Sequence, residues 1–119
     1  MRTVRDGLRE AAEALCNRDL QERVWLLGQW NHTDAGKPSF DDAVNQVIDE
    51  LEAPNPDELI GYVLHDETEL RAFLRLQNSL NDLVTAIGRH GTFADVKRQG
   101  RLWRACIDAA RELVLAMAE

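Results

Sequence analysis

The sequence predicts an all-α fold, a compact bundle of about five helices forming a single domain over residues 1–119. Three observations carry this reading. Apolar residues recur at three- and four-residue intervals in successive stretches. Proline, glycine and capping residues fall between those stretches. The one β-like run, the short extended segment near 60–64 (Ile60-Gly61-Tyr62-Val63-Leu64), is too isolated to build a sheet. A chain of 119 residues, 45% hydrophobic and 29% charged, has the size and composition of an ordinary domain. It buries enough surface to need no disulfide or metal staple.

The first helix is expected from about Thr3 to Cys16, with Val4, Leu8, Ala11, Ala12 and Leu15 on one face. Asp19 and Glu22 have capping-box spacing and are expected to open a short second helix carrying Leu20, Val24 and Leu27. Gly28 ends it, and Gln29 to Pro38 reads as a polar loop containing Trp30 and Gly36. Ser39 can cap a third helix, with Asp41 and Asp42 favourably placed on its dipole. Its stripe is Phe40, Ala43, Val44, Val47, Ile48 and Leu51, stopped by Pro54 and Pro56. Asn55-Pro56-Asp57-Glu58 places a proline at a first helical position, so one short turn is expected there.

Asp66 and Glu69 form a second candidate capping box, opening the longest helix over about Glu67 to Ile87. Leu70, Phe73, Leu74, Leu76, Leu80, Leu83, Val84 and Ile87 cover about half its circumference, which demands neighbours on more than one flank. It is the expected central helix. Gln77 and Asn81 project onto its apolar side, either as a polar pocket or as edge residues bonded to a neighbouring loop backbone. Gly88 ends the helix, Thr92 to Val96 can form one helical turn, and Gly100 precedes a last helix. There Trp103, Cys106, Ile107, Ala110, Leu113, Val114 and Met117 fall in register.

Motifs for chemistry are absent from the sequence. His32, His65 and His90 belong to no metal-binding helix pair. His65-Asp66 is a pair some metal-dependent phosphohydrolases use, but the further histidines they need are missing, so the expected role of Asp66 is to cap a helix. Cys16 and Cys106 lack partners at zinc spacing. Cys106 lies on an apolar stripe as a small hydrophobe, and Cys16 lies off its stripe and partly exposed. Ser39 and Ser79 sit in no nucleophile elbow, and the glycines form no phosphate cradle. No enzyme activity, cofactor, metal or small-molecule substrate is expected. No run reaches transmembrane length, and the N-terminus turns amphipathic at once, so no signal peptide is expected and the location is cytoplasmic.

Charge is where the sequence is unusual. The net charge is −7, but residues 1–37 are neutral, residues 38–70 hold ten acidic side chains and no Lys or Arg, and residues 71–119 sum to +3. In the third helix Asp42, Asn45, Asp49 and Glu52 point away from the stripe as an acidic ridge. With Glu50, Asp57, Glu58, Asp66 and Glu67, the acidic members make the expected partner-binding surface. Such a surface repels nucleic acid and anionic membranes and speeds encounter with a basic protein. Against this, Arg89, Lys97, Arg98, Arg101 and Arg104 cluster around a short helix, a glycine and a longer helix, a loose echo of helix-turn-helix. Nucleic-acid binders are usually basic overall, whereas this chain has a pI near 4.9.

The run Asp19-Leu20-Gln21-Glu22-Arg23-Val24-Trp25, the proline stop before Ile60–Leu64, Glu69 and the Trp103 helix resemble a family of small helical bacterial proteins frequent in actinobacteria. That resemblance spans most of the chain and brings no catalytic residues with it. In size, acidity and lack of chemistry the chain is also similar to immunity proteins that neutralise basic bacterial toxins. The resulting expectation is a non-catalytic protein whose partner is a basic toxin domain bound through the acidic surface. The alternatives are a helical adaptor for another protein, or a DNA-associated regulator using the C-terminal basic cluster.

Overall fold

In a computed structural model that describes residues 3–30, 37–48, 56–61, 63–88 and 93–118, every regular element among those residues is helical. Helix α1 (Val4–Leu15) starts where Thr3 and Asp6 cap one another. The Thr3 hydroxyl accepts from the Asp6 N–H at 3.1 Å, and the Asp6 carboxylate accepts from the Thr3 N–H at 3.0 Å. The chain turns at Cys16, and Asn17 caps α2 (Arg18–Leu20), its side-chain oxygen accepting from the Leu20 N–H at 3.1 Å. The expected Asp19–Glu22 box does not form. Asn17 already holds the extended backbone of a cap, so Asp19 is inside the helix, where its carboxylate meets Arg23 at 3.4 Å.

From Gln21 to Leu26 the helix continues as a π-helix, with the Leu27 N–H bonded to the Glu22 carbonyl five residues back at 3.2 Å. Each π turn takes up one extra residue, which breaks the three-and-four spacing. Leu20 and Val24 therefore stay buried while Leu27, expected on the same stripe, is 63% exposed. Gly28, at φ +70°, then turns the chain away. The Gln21 side chain is buried and donates to the Ala14 carbonyl at 3.0 Å, a second bond to an acceptor that also takes the Asn17 N–H at 3.2 Å.

Helix α3 (Phe40–Ile48) is capped by Ser39, whose hydroxyl accepts from the Asp42 N–H at 3.1 Å while the Asp42 carboxylate accepts from the Ser39 N–H at 3.4 Å. Pro56–Leu59 is one 3₁₀ turn, as the proline position predicts. The segment expected to be extended near 60–64 is instead a folded turn. The Val63 and Leu64 N–H groups both donate to the Leu59 carbonyl, at 2.9 and 3.0 Å, around Gly61 at φ +91°, and among the described residues its ladder feature is one isolated bridge between Ile60 and Leu64. The turn inserts Val63 and Leu64 into the core, each 1% exposed.

Helix α4 (Glu67–Ile87) is capped by Asp66, which accepts from the Glu69 N–H at 3.0 Å, and it ends at Gly88, φ +83°. Glu69 does not return the bond to its cap; its carboxylate is committed elsewhere. Two helices follow, α5 (Phe93–Arg98) and α6 (Gly100–Ala116). Arg75 and Glu112 pair at 2.7 Å, each twelve residues from the α5-proximal end of its helix, so α4 and α6 pack antiparallel. Gly7, early in α1, lies against Gln46, late in α3, so these two are antiparallel as well. Between the pairs sits one continuous core: Leu8, Ala12 and Leu15 from α1, Ala43 and Val47 from α3, Phe73, Leu76, Leu80 and Leu83 from α4, and Trp103, Cys106, Ala110 and Leu113 from α6. Gln77, half-buried midway along α4, donates to the Val47 carbonyl at 3.2 Å and so caps the end of α3, while Asn81 is exposed.

One polar cluster is built into this core. Arg5 of α1 forms a two-pronged ion pair with Glu69 (second contact 3.1 Å) and also donates to the Val63 carbonyl at 2.9 Å. Glu69, only 4% exposed, further accepts from the His65 N–H at 3.0 Å. The Arg5 hydrogen bonds hold the Glu69 carboxyl below the usual carboxylate range, against the opposing effect of burial. The cluster ties α1, the 60–64 turn and the start of α4 into one corner.

Candidate functional site

The end of the bundle where α3, α5 and α6 begin is aromatic. Phe40 stands edge-on to Trp103 (ring centroids 6.0 Å apart), Phe93 (5.8 Å) and Trp25 (5.7 Å), and Phe93 meets Trp103 at 5.7 Å and Trp25 at 5.4 Å. The Trp25 indole N–H donates to the Pro38 carbonyl at 3.2 Å, which pins this ring beside the start of α3. Phe40, Phe93 and Trp103 are buried, Trp25 is half-buried, and Trp30 is 52% exposed.

Between the π-helix and the start of α3 these rings border a surface cleft of about 380 Å³. It is lined by Trp25, Trp30, Phe40 and Phe93, together with Val24 and the polar side chains Ser39 and Asp41. Its neighbourhood is unusually apolar. Of the six large hydrophobic side chains exposed among the described residues, Leu26 (41%), Leu27 (63%) and Trp30 fall within residues 26–30. Scattered exposed hydrophobes need no explanation, but three within five residues, one of them Trp30 on the cleft wall and two directly following the wall residue Trp25, fit the signature of a contact site. The π-helix brings Leu27 to the surface, and such bulges are frequent at functional sites. Asp41 is exposed in the first turn of α3, where the helix dipole favours its negative charge. Among the described residues no cation pairs with it.

This cleft is absent from the sequence reading. A signal for it exists in Val24-Trp25-Leu26-Leu27, four consecutive large apolar residues. A short surface helix cannot bury four in a row, so some must face out, and an exposed apolar run calls for a functional reason.

The acidic positions expected to bind a partner are distributed differently. Asp49, Glu50 and Glu52 lie outside the described residues, as does the side chain of Asp57. Asp42 is exposed at the aromatic end, where it also closes the Ser39 cap. Glu58, Asp66 and Glu67 are exposed at the opposite end of α4, where Asp66 caps the helix and Glu67 meets Arg71 at 3.1 Å. The end of α3 meets Gln77, midway along α4, and from there to Glu67 is about 15 Å of helix. That exceeds the roughly 8 Å screening length of physiological salt. Among the described residues, Asp41 and Asp42 therefore act as one local field, and Glu58, Asp66 and Glu67 as another.

The remaining candidates carry no comparable geometry. His65 is exposed, its Nδ1 3.8 Å from Glu69, and no group of three or more potential metal ligands occurs among the described residues. Burial pushes the Cys106 thiol up to about 12 and also raises that of Cys16, so neither is an activated nucleophile. In the basic cluster, Lys97 lies 3.7 Å from Glu22 and Arg98 lies 3.5 Å from Asp95. Arg101 and Arg104 are exposed, and Arg89 lies outside the described residues. No described helix is long and apolar enough to cross a membrane.

The fold and this surface define the class: a small all-α domain with an aromatic cleft at one end of its bundle. No family model, curated protein or solved structure matches the chain.

Proposed function

We propose that this domain is a non-catalytic binding protein whose partner is a basic protein, docked at the aromatic end of the bundle. The observation that carries the reading is the outward-facing group Leu26, Leu27 and Trp30 beside a cleft that Asp41 lines. Apolar anchors give an interface its affinity, and a ring of like charge steers an oppositely charged partner toward it. The excess of acid across residues 38–70 supports the same choice of partner. The form of this activity that suits a small acidic domain is neutralisation of a basic toxin, as an immunity protein does.

The test is kinetic. A partner retained by the immobilised domain is titrated against wild type and against a variant carrying Asp41→Lys with Glu50→Lys and Glu52→Lys, at low and at physiological salt. Asp42 is left in place because it caps α3. Association of the wild type is expected to slow as salt rises, and the variant to lose affinity chiefly through its on-rate. Equal affinities for both proteins, with no dependence on salt, would reduce the acidic excess to a solubility feature.

A further inference from the structure

We infer that the aromatic cleft is an arginine subsite, receiving one guanidinium side chain of the partner with its charge on Asp41 and its stem and plane against Trp30 and Trp25. This deepens the protein-binding reading and rests on it. Four observations on the cleft converge. Its walls combine aromatic rings with a carboxylate that no described cation neutralises, the pairing a planar cation needs. Arg23 in the π-helix and Lys97 in α5, elements that each contribute a residue to the lining, pair with Asp19 and Glu22 at 3.4 and 3.7 Å and not with Asp41. Trp25 is fixed by its bond to Pro38 before any ligand arrives, which lowers the ordering cost of binding. Finally, Leu26, Leu27 and Trp30 can cover apolar residues on either side of the arginine and exclude water from its contact with Asp41.

Arginine fits better than lysine on chemical grounds. Its guanidinium stacks on aromatic faces and is more weakly hydrated than an ammonium, so less is lost on entering a partly apolar cleft. A volume of about 380 Å³ accommodates one such side chain together with the edges of its neighbours, and lies at the small end of ligand clefts.

The experiment needs no identified partner. The probes are three blocked peptides, acetyl-Leu-Arg-Leu-amide and its analogues with lysine or neutral citrulline at the centre, titrated into ¹⁵N-labelled protein. The arginine peptide is expected to move the indole signals of Trp25 and Trp30 and the Asp41 amide saturably. Citrulline, the same shape without the charge, should bind about tenfold more weakly or worse. Asp41→Asn should abolish that difference, and Trp30→Ala, at an exposed position, should weaken all three peptides with the fold intact. Equal binding of arginine and citrulline, tighter binding of lysine, shifts centred on Glu58, Asp66 and Glu67, or no saturation by about 10 mM would each overturn the inference. Failure here with salt-dependent partner binding retained removes the arginine subsite alone. Arginine discrimination with no salt-dependent partner would instead remove the basic-protein reading and leave the subsite.

Discussion

Trp103→Ala should cost about 3–5 kcal/mol of stability, the range for removing a large buried aromatic. Trp103 is 7% exposed and touches both Phe40 and Phe93 edge-on, so truncation leaves a cavity that three helices border. Those rings hold the start of α3 against α5 and α6, and helices this short have little stability of their own. Denaturant unfolding measures the loss directly, and Trp103→Phe, which keeps a ring in place, should lose clearly less. A loss below about 1 kcal/mol would mean that α6 is rotated from its place in the core. The same substitution bears on function, because Phe40 and Phe93 form the inner wall of the cleft. A destabilised Trp103 variant should therefore bind its partner more weakly even where it remains folded.

Arg5→Ala should be as damaging, about 3–5 kcal/mol, because it leaves the Glu69 carboxylate buried with its main partner gone. It also strips the donor from the Val63 carbonyl. Replacing both members with apolar residues, Arg5→Met with Glu69→Leu, should recover much of the loss, since a buried pair is costly to break and cheap to replace. The pair has a pH signature of fixed sign. The folded-state pKa of Glu69 lies below its unfolded value, so its contribution is complete above the ordinary carboxylate range near about 4.3. It is lost as pH falls from there through the lowered folded value. Wild type should therefore lose stability more steeply in acid than Glu69→Gln, as thermal melts across that range would reveal. Parallel acid profiles would contradict the buried pairing.

Local signals in the sequence account for much of this fold. The bounds of α4, the Ser39 cap of α3, the proline-led turn at Pro56 and the buried stripe of α6 all follow from caps, breakers and periodicity. Each depends on residues within one or two turns of one another. What escapes is non-local or competitive. Glu69 has the spacing of a capping-box partner, but an arginine 64 positions away outcompetes its own cap for the carboxylate. Asp19 loses the cap of α2 to Asn17 because the exit from α1 sets where the chain re-enters a helix. The cleft escapes for a related reason. A period-based reading assigns Leu27 to the core, and only the extra residue taken up by the π-helix moves it to the surface. The acidic stretch is plain in the sequence, but the separation of Asp41 and Asp42 from Glu58, Asp66 and Glu67 is not.

A protein partner is proposed to dock on the aromatic end of the bundle. Hydrogen exchange of the domain, alone and bound to the partner retained in the salt test, tests it most directly. Binding there should slow exchange at the amides of residues 24–30 and 39–43, with smaller effects in α5 and none at the start of α4. Protection confined to residues 66–71, or to the α6 face bearing Arg101 and Arg104, with exchange around Trp25 and Trp30 unchanged, would contradict it.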